Sequence, residues 1–158
     1  MPNIEDIKEF LAARAIEVWE FAEPTPTSID AARAVGCSVA EIAKTIFLIV
    51  GGNPLAVVTC GDMKVNTSRL KKETGLTGKA RLPGGEEVAR FTGYRPGGVC
   101  PFLLPPEIPV ILDSSLRRFP RVYAAAGNDN SAVPITFAEL VEVTGGQEAE
   151  VCSHLGAG

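Results

Sequence analysis

The sequence has few of the residues that build metal sites and catalytic triads. It contains a single histidine, His154, and four cysteines at positions 37, 60, 100 and 152, none of which forms a Cys-x-x-Cys pair. Structural zinc sites need closely spaced Cys or His ligands, so we expect no metal and no other cofactor. Free thiols without a disulfide framework are typical of a reducing compartment, and we expect a cytoplasmic protein.

Long apolar segments are also missing. The longest clean apolar run, residues 46–50, is far too short to span a bilayer. The first six residues contain neither a basic region nor an apolar stretch, so they predict no signal peptide. We therefore expect no contact with a membrane.

The 158 residues have an ordinary globular composition, 46% apolar and 22% charged, which predicts a single domain. The net charge is −4, yet six of the fifteen basic residues lie within residues 64–81, where Glu73 is the one acidic residue. Residues 129–158 carry five acidic residues and no lysine or arginine. The basic segment can bind phosphates locally, or it can be a solvated helix face, and charge alone leaves both readings open.

Turn and capping signals divide the chain into short elements. We predict helices over residues 3–15, 27–36, 67–74, 86–91 and 136–144, a helical turn over 38–44, and strands over 17–21, 45–50, 54–59, 79–82, 108–112, 121–125 and 133–136. Strands outnumber long helices and show no regular β-α-β alternation. The predicted class is α+β, with a mixed, curved or barrel-like β-sheet flanked by helices. We expect one domain over residues 1–152 and a flexible tail over residues 153–158.

Three features could carry chemistry. Lys44 stands at the junction of a predicted helix and an apolar strand, where a lone ammonium either reaches solvent or faces a ligand. The Gly/Pro loop of residues 92–102 could bind an oxyanion or carboxylate through unobstructed N–H groups, or could only connect two elements. Small residues before Gly127 and Asn128 allow a ligand to approach the backbone, but they also suit a hairpin turn.

A nucleophilic triad has little support in this sequence. His154 lies in the predicted tail, far along the chain from any candidate nucleophile. Cys100 lies in the Gly/Pro loop, but no histidine is near it in sequence, so we interpret it as a small packing residue. Asp113 ends a predicted strand before Ser114, and could be a buried acid or a helix cap; we favour the cap.

Taken in order along the chain, these segments resemble the YbaK/prolyl-tRNA editing family of aminoacyl-tRNA deacylases. The resemblance extends from about residue 4 to residue 151, and it rests on the ordered combination rather than on one motif. The segments that carry it are Glu41-Ile42-Ala43-Lys44-Thr45, Thr92-Gly93-Tyr94, Gly97-Gly98-Val99-Cys100-Pro101, Ile111-Leu112-Asp113 and Gly127-Asn128.

The resemblance implies a YbaK-like fold, similar to the editing domain of prolyl-tRNA synthetase, and a trans-acting deacylase that needs no cofactor. The substrate would be a tRNA, foremost tRNA(Pro), that carries Ala, Cys or Ser by mistake. Lys44 and Gly98 would then be catalytic residues. The residues expected to bind the substrate are Tyr94, Gly97, Pro101, Gly127 and Asn128.

If tRNA is the substrate, its acceptor stem needs a positively charged surface, and the basic segment supplies one. We expect Lys64, Arg69, Lys71 and Lys72 to contact it. Prolyl-tRNA synthetase is a further expected partner, and the oligomeric state is left open. Two alternatives remain at this point: a non-catalytic module that binds tRNA ends or amino acids, and a cysteine hydrolase that uses Cys100.

Overall fold

The structure, a computed structural model, describes residues 2–95 and 98–155. At its centre lies an antiparallel pair formed by β2 (Ile42–Val50) and β3 (Asn53–Cys60), which are in register from Ala43–Cys60 to Val50–Asn53. Gly51 and Gly52 join the two strands with φ values of 56° and 85°, in the region that glycine adopts without strain. Both strands are apolar because most of their side chains are buried.

Shorter strands extend this pair into a mixed sheet. The remaining strands of the sheet are β1 (Trp19–Glu20), β5 (Ala80–Arg81), β6 (Val110–Asp113), β7 (Val122–Ala124), β8 (Ser131–Ile135) and β9 (Gln147–Ala149). Their spatial order is β1-β8-β7-β2-β3-β6-β9, and β5 pairs with the far end of β2. The pairs β2–β7, β3–β6 and β6–β9 are parallel and the others antiparallel, so the predicted mixed sheet is confirmed.

Five helices accompany the sheet in the described ranges: α1 (Ile4–Ala12), α2 (Ser28–Val35), α3 (Thr67–Thr74), α4 (Gly85–Thr92) and α5 (Phe137–Thr144). The capping signals locate them well, because Thr27 and Thr136 accept hydrogen bonds from the backbone at the starts of α2 and α5. Helix α3 has the predicted bounds and ends at Gly75 in the left-handed conformation. No helix in residues 2–95 or 98–155 is long and apolar enough to cross a membrane.

The helical turn predicted over residues 38–44 is shorter in the structure. It is a 3₁₀ turn over Val39–Glu41, and the Glu41 carboxylate accepts from the Ser38 N–H at 3.0 Å. The turn ends at Ile42, whose backbone is extended (φ −80°, ψ 127°), so β2 begins there and Lys44 lies inside the strand.

The prediction of a flexible tail is wrong for its first residues. β10 (Cys152–His154) pairs antiparallel with β4 (Met63–Val65), placing Ser153 opposite Lys64. The preceding Val151 is fully buried and donates its N–H to Asp113 Oδ1 at 2.9 Å. Packing of this strand is a tertiary effect that the short polar sequence does not reveal. Residues 156–158 lie outside the described residues.

Candidate active site

The candidate site lies along a stretch of β2 that has a strand on only one side. β7 pairs with β2 at Ile42 and Ala43, and β5 pairs with it at Ile49 and Val50, so residues 44–48 face a gap between β7 and β5. The Gly61 N–H donates to the Ile42 carbonyl, which sets the even-numbered residues of β2 toward β3. The main-chain groups of Thr45 and Phe47 therefore point into the gap.

A cavity of about 380 Å³ occupies this gap. Its walls come from β2, from the start of α2, from the end of β7 with the loop after it, and from Leu82 and Pro83. The lining is apolar with several hydroxyl and amide groups, and Lys44 is the one charged side chain among the described lining residues. Such a mixture of apolar walls and a few polar groups is typical of a small-ligand pocket.

Lys44 is partly buried at the wall of this cavity, and its Nζ lies 3.4 Å from the Gly61 carbonyl oxygen. Burial lowers the pKa of Lys44 below the ordinary lysine value, and the negative charge of nearby Asp62 opposes that shift. The structure records no ion pair for Lys44 among the residues it describes. The ammonium group can therefore form a charge-assisted contact with a ligand in the cavity.

Thr45 is a site residue that the sequence analysis did not single out. It lines the cavity, and its buried Oγ1 has no hydrogen-bond partner in the structure. A buried hydroxyl without a partner costs free energy, so its retention needs an explanation. A ligand in the cavity would supply the partner. In the sequence, the one indication of a role for Thr45 was its position next to Lys44.

Asn128 also lines the cavity, as predicted, and its loop is firmly held. The Asn128 Oδ1 accepts from the Asn130 N–H at 3.2 Å, and Asn130 Nδ2 donates to the Phe21 carbonyl at 2.9 Å. The Thr25 hydroxyl donates to the Asp129 carbonyl at 3.0 Å. These bonds connect the loop after β7 to the segment before α2, so two walls of the cavity support each other.

The two glycine-containing loops meet, as the predicted site requires. A Cβ built on Gly98 would lie 2.8 Å from the Gly127 carbonyl oxygen and 3.0 Å from Asn128 Cα. Gly98 is buried, and its own N–H donates to the Arg95 carbonyl at 2.9 Å, so this N–H closes a turn in the structure. Val99, the next residue, does line the cavity.

Tyr94 supports this loop contact from within the core. Its side chain is 1% exposed, its hydroxyl donates to the Phe102 carbonyl at 2.5 Å, and its ring would lie 3.1 Å from a Cβ on Gly127. The ring is sealed beneath Gly127 and does not line the cavity, so direct contact between Tyr94 and the substrate is not visible in this arrangement and stays a prediction. Pro101 is likewise buried and absent from the cavity wall. Gly97 lies outside the described residues.

Cys100 and Asp113 are both buried within the fold. Cys100 is fully buried, and burial raises the pKa of its thiol to about 12, so it is not a thiolate near neutral pH. Asp113 is 1% exposed and accepts from the Ser115 N–H at 3.1 Å, which confirms the predicted cap. Asp113 also accepts from the Thr59 hydroxyl at 3.3 Å and thereby joins β3 to the chain after β6.

The basic segment is divided between engaged and free side chains. Arg69 donates to the Cys152 carbonyl at 3.0 Å and lies 3.5 Å from Glu150, so part of its charge holds the C-terminal strand in place. Lys64 and Lys72 are exposed, and Lys71 is partly exposed. Among the described residues, no ion pair is recorded for these three lysines. Their contact with tRNA remains a prediction.

Comparison with known proteins identifies the family that this chain matches. A model of the aminoacyl-tRNA editing domain family matches residues 22–143. The Bacillus subtilis protein YwhH, named as uncharacterized, is 38% identical over 130 residues, which is 82% of each chain. The proline–tRNA ligase of Bacillus licheniformis is 28% identical over 154 residues, and the match spans 87% of this chain but 27% of the ligase.

Solved structures agree with the observed architecture. The crystal structure of hypothetical protein APE2540 superposes with a TM-score of 0.84 at 35% identity, over 93% of this chain and 99% of that one. A protein proposed to be a trans-editing enzyme for prolyl-tRNA synthetase superposes with a TM-score of 0.86 at 28% identity, over 97% of this chain and 98% of that one. The fold is therefore shared with these proteins over nearly their whole length.

Proposed function

Because the chain belongs to the family of aminoacyl-tRNA editing domains, we propose that it hydrolyses the ester bond between a mischarged small amino acid and the 3′ end of a tRNA. The observation that carries this proposal is the cavity on the open stretch of β2, with Lys44 as its one charged lining residue. Similarity over nearly the whole length of a proposed trans-editing protein supports action in trans. Two proline–tRNA ligases among the relatives support tRNA(Pro) as the first tRNA to test.

The chemistry suits a cavity without a general base of its own. Among its described lining residues there is no histidine, aspartate or glutamate. An aminoacyl ester is already activated, and the neighbouring ribose hydroxyl can orient the attacking water. Attack of water on the ester carbonyl releases the free amino acid and restores the ribose hydroxyl. The protein then needs only to hold the ester and stabilise the developing oxyanion.

Lys44 supplies the positive charge for that task. Its partly buried ammonium group anchors the aminoacyl-adenosine end and acts more strongly there than it would in bulk water. Main-chain groups of Thr45 and Phe47 at the gap, with the amide of Asn128, offer uncharged partners around it. No cofactor enters the scheme.

Selection among amino acids would rest on size. Small residues of β2, of β7 and of the loop after β7 form part of the cavity wall: Ala43, Ala124 and Ala125. A compact pocket accepts Ala, Cys or Ser and rejects larger side chains through lost space, at about 1–3 kcal/mol for each extra methylene group. We therefore place Ala, Cys and Ser on the substrate panel, with Pro as the amino acid to be excluded.

The experiment is a deacylation panel. Purified protein is mixed with tRNA(Pro) carrying Ala, Cys, Ser or Pro, and the released amino acid is counted against buffer alone. We expect release of at least one small amino acid, with Pro-tRNA left intact. Binding of the charged tRNA without release above the buffer rate would contradict hydrolysis and identify a non-catalytic module that binds tRNA ends.

A further inference from the structure

A second cavity, of about 310 Å³, adjoins the candidate site. Its floor is apolar, with Leu48 from β2 and Val65 from β4, and its rim carries Lys64 and Thr67. Both cavities fall near the lower end of the size range of about 300–1,000 Å³ that is typical of small-ligand sites.

The two cavities share a wall. Lys44, Ile46 and Leu82 line both of them: the first two lie where β2 has a strand on only one side, and Leu82 follows β5 directly. Leu82 is 70% exposed, so its apolar surface at the mouth of both cavities lies in water. A ligand that extends from one cavity to the other must pass Lys44 and Leu82.

Only basic side chains carry formal charge in the second cavity among its described lining residues: Lys44, Lys64 and Arg81. Arg81 is engaged, because its guanidinium binds Glu87 through two hydrogen bonds of 2.7 and 2.8 Å. Lys44 and Lys64 form no recorded ion pair in the described part of the chain, so two lysine charges remain available to an anion.

We propose that the second cavity binds the nucleotide that precedes the terminal adenosine of the tRNA 3′ end. This inference rests on the proposed function, which puts the aminoacyl-adenosine in the first cavity. The preceding nucleotide is joined to that adenosine by one phosphate, so it must lie in adjoining space. Lys64 contacts the phosphate, Lys44 stands between that phosphate and the ester in the first cavity, and the base covers Leu82 and the apolar floor.

The combination of charges and apolar surface argues for a nucleotide rather than for an amino acid side chain. A small aliphatic group would gain nothing from Lys64, and a free phosphate would gain nothing from Leu48, Val65 and the exposed Leu82. A nucleotide uses both, because single-stranded nucleic acids bind through backbone charge together with contact on the faces of their bases.

The test uses three stable ligands in which an amide replaces the ester: 3′-alanylamino-3′-deoxyadenosine, its 5′-phosphate, and the same nucleoside extended at 5′ by cytidine through a phosphodiester. Dissociation constants are measured by calorimetry for each ligand. For the wild-type protein we expect the phosphate to tighten binding by about tenfold, and the cytidine to add up to another tenfold.

Two variants separate the contributions of charge and base. Lys64→Gln should remove most of the gain from the phosphate, and Thr67→Trp should fill the cavity and remove the gain from the cytidine. Ser68→Trp is the matched control, because Ser68 is exposed on the same helix turn and lines neither cavity. The control should keep both gains.

Equal binding of the three ligands to the wild-type protein would overturn the proposal, and so would gains that persist in both Lys64→Gln and Thr67→Trp. Either result with intact deacylation in the panel above would leave the proposed hydrolysis standing and remove only the nucleotide site. Gains that behave as expected without any deacylation would support the nucleotide site and contradict the hydrolysis.

Discussion

Two concave surfaces of the molecule differ in size and in charge. The cavity on the open stretch of β2 measures about 380 Å³ and is lined by Lys44 without a carboxylate among its described lining residues. On the β6–β9 side of the sheet, a larger groove of about 610 Å³ is lined by Glu73 and Glu148. If volume alone decided where the substrate binds, the groove would be the site. A polyanionic substrate such as tRNA instead favours the positively charged cavity.

The comparison indicates that a gap beside a strand of the sheet is a better guide to a candidate site than the volume of a groove. In the described chain, no buried side-chain group of the acidic groove lacks a hydrogen-bond partner, and Glu148 is bound to Arg117 at 2.8 Å. The cavity at β2 combines main-chain groups at the gap, the partnerless Thr45 hydroxyl and the desolvated Lys44. If these groups carry the function, substitutions in the cavity should change deacylation and substitutions in the groove should not.

Replacement of Lys44 should have the largest effect. Lys44→Ala removes the one charge of the cavity wall, and the lost contact should cost about 2–4 kcal/mol in the transition state, or about 30- to 1,000-fold in kcat/KM. Deacylation and thermal unfolding are measured together. Glu73→Gln, in the groove, is the control and should keep full activity. Near wild-type turnover in folded Lys44→Ala would refute the assignment.

Gly98→Val should reduce activity by about tenfold or more, because its Cβ would lie 2.8 Å from the Gly127 carbonyl oxygen and must displace that loop. Overpacking of this kind also costs about 1–3 kcal/mol of stability. Gly84→Val is the matched control, since a Cβ there meets no atom within 4 Å. A fully active Gly98→Val protein would mean that the loop only connects two elements.

Reversal of charge on α3 should reduce activity on aminoacyl-tRNA more than activity on a minimal aminoacyl ester that lacks the acceptor stem. With Lys71 and Lys72 both changed to Glu, we expect kcat/KM for aminoacyl-tRNA to fall by about tenfold relative to a minimal aminoacyl ester, because acceptor-stem phosphates lose their partners. Higher salt should reproduce the effect in the wild-type protein. Equal losses on both substrates would show that the segment does not touch RNA.

Thr45→Val should reduce activity by about three- to tenfold while stability stays constant or rises by about 1 kcal/mol, because the substitution removes a buried hydroxyl without a partner. Thr59→Val is the opposite case, since the Thr59 hydroxyl is bonded to Asp113 and its loss should lower stability. Denaturant unfolding and deacylation are compared for both variants. A less stable but fully active Thr45→Val protein would contradict this role.

Cys100→Ala should have the smallest effect, with activity within about threefold of wild type, because the thiol is fully buried and its raised pKa keeps it protonated. The deacylation rate and a search for a covalent acyl-enzyme by mass spectrometry check this. Loss of activity in Cys100→Ser, together with a trapped acyl-enzyme in the wild-type protein, would favour the cysteine hydrolase.

Local signals in the sequence were sufficient for most of the fold. Side-chain caps and glycines located the helices, and the apolar runs located β2 and β3, because these features act within a few residues. The short strands β4, β9 and β10 were not predicted, since these three-residue segments form strands only through pairing with distant partners.

The site was predictable where a residue is conspicuous in its local sequence. Lys44 and Asn128 line the cavity, and the contact between Gly98 and the Gly127 loop brings two predicted segments together, while their roles toward a substrate stay predictions. The burial of Tyr94 beneath Gly127 was not predicted, because it is a property of the packed core. Thr45 was missed because an unpartnered hydroxyl can be recognised only in three dimensions.

A crystal structure of the protein with 3′-alanylamino-3′-deoxyadenosine tests whether the Lys44 cavity is the substrate site. We expect the nucleoside in the cavity between β2, the start of α2 and the loop after β7, with the amide group within hydrogen-bond distance of Lys44 Nζ. A ligand ordered in the groove lined by Glu73 and Glu148, with the Lys44 cavity empty, would contradict the central claim.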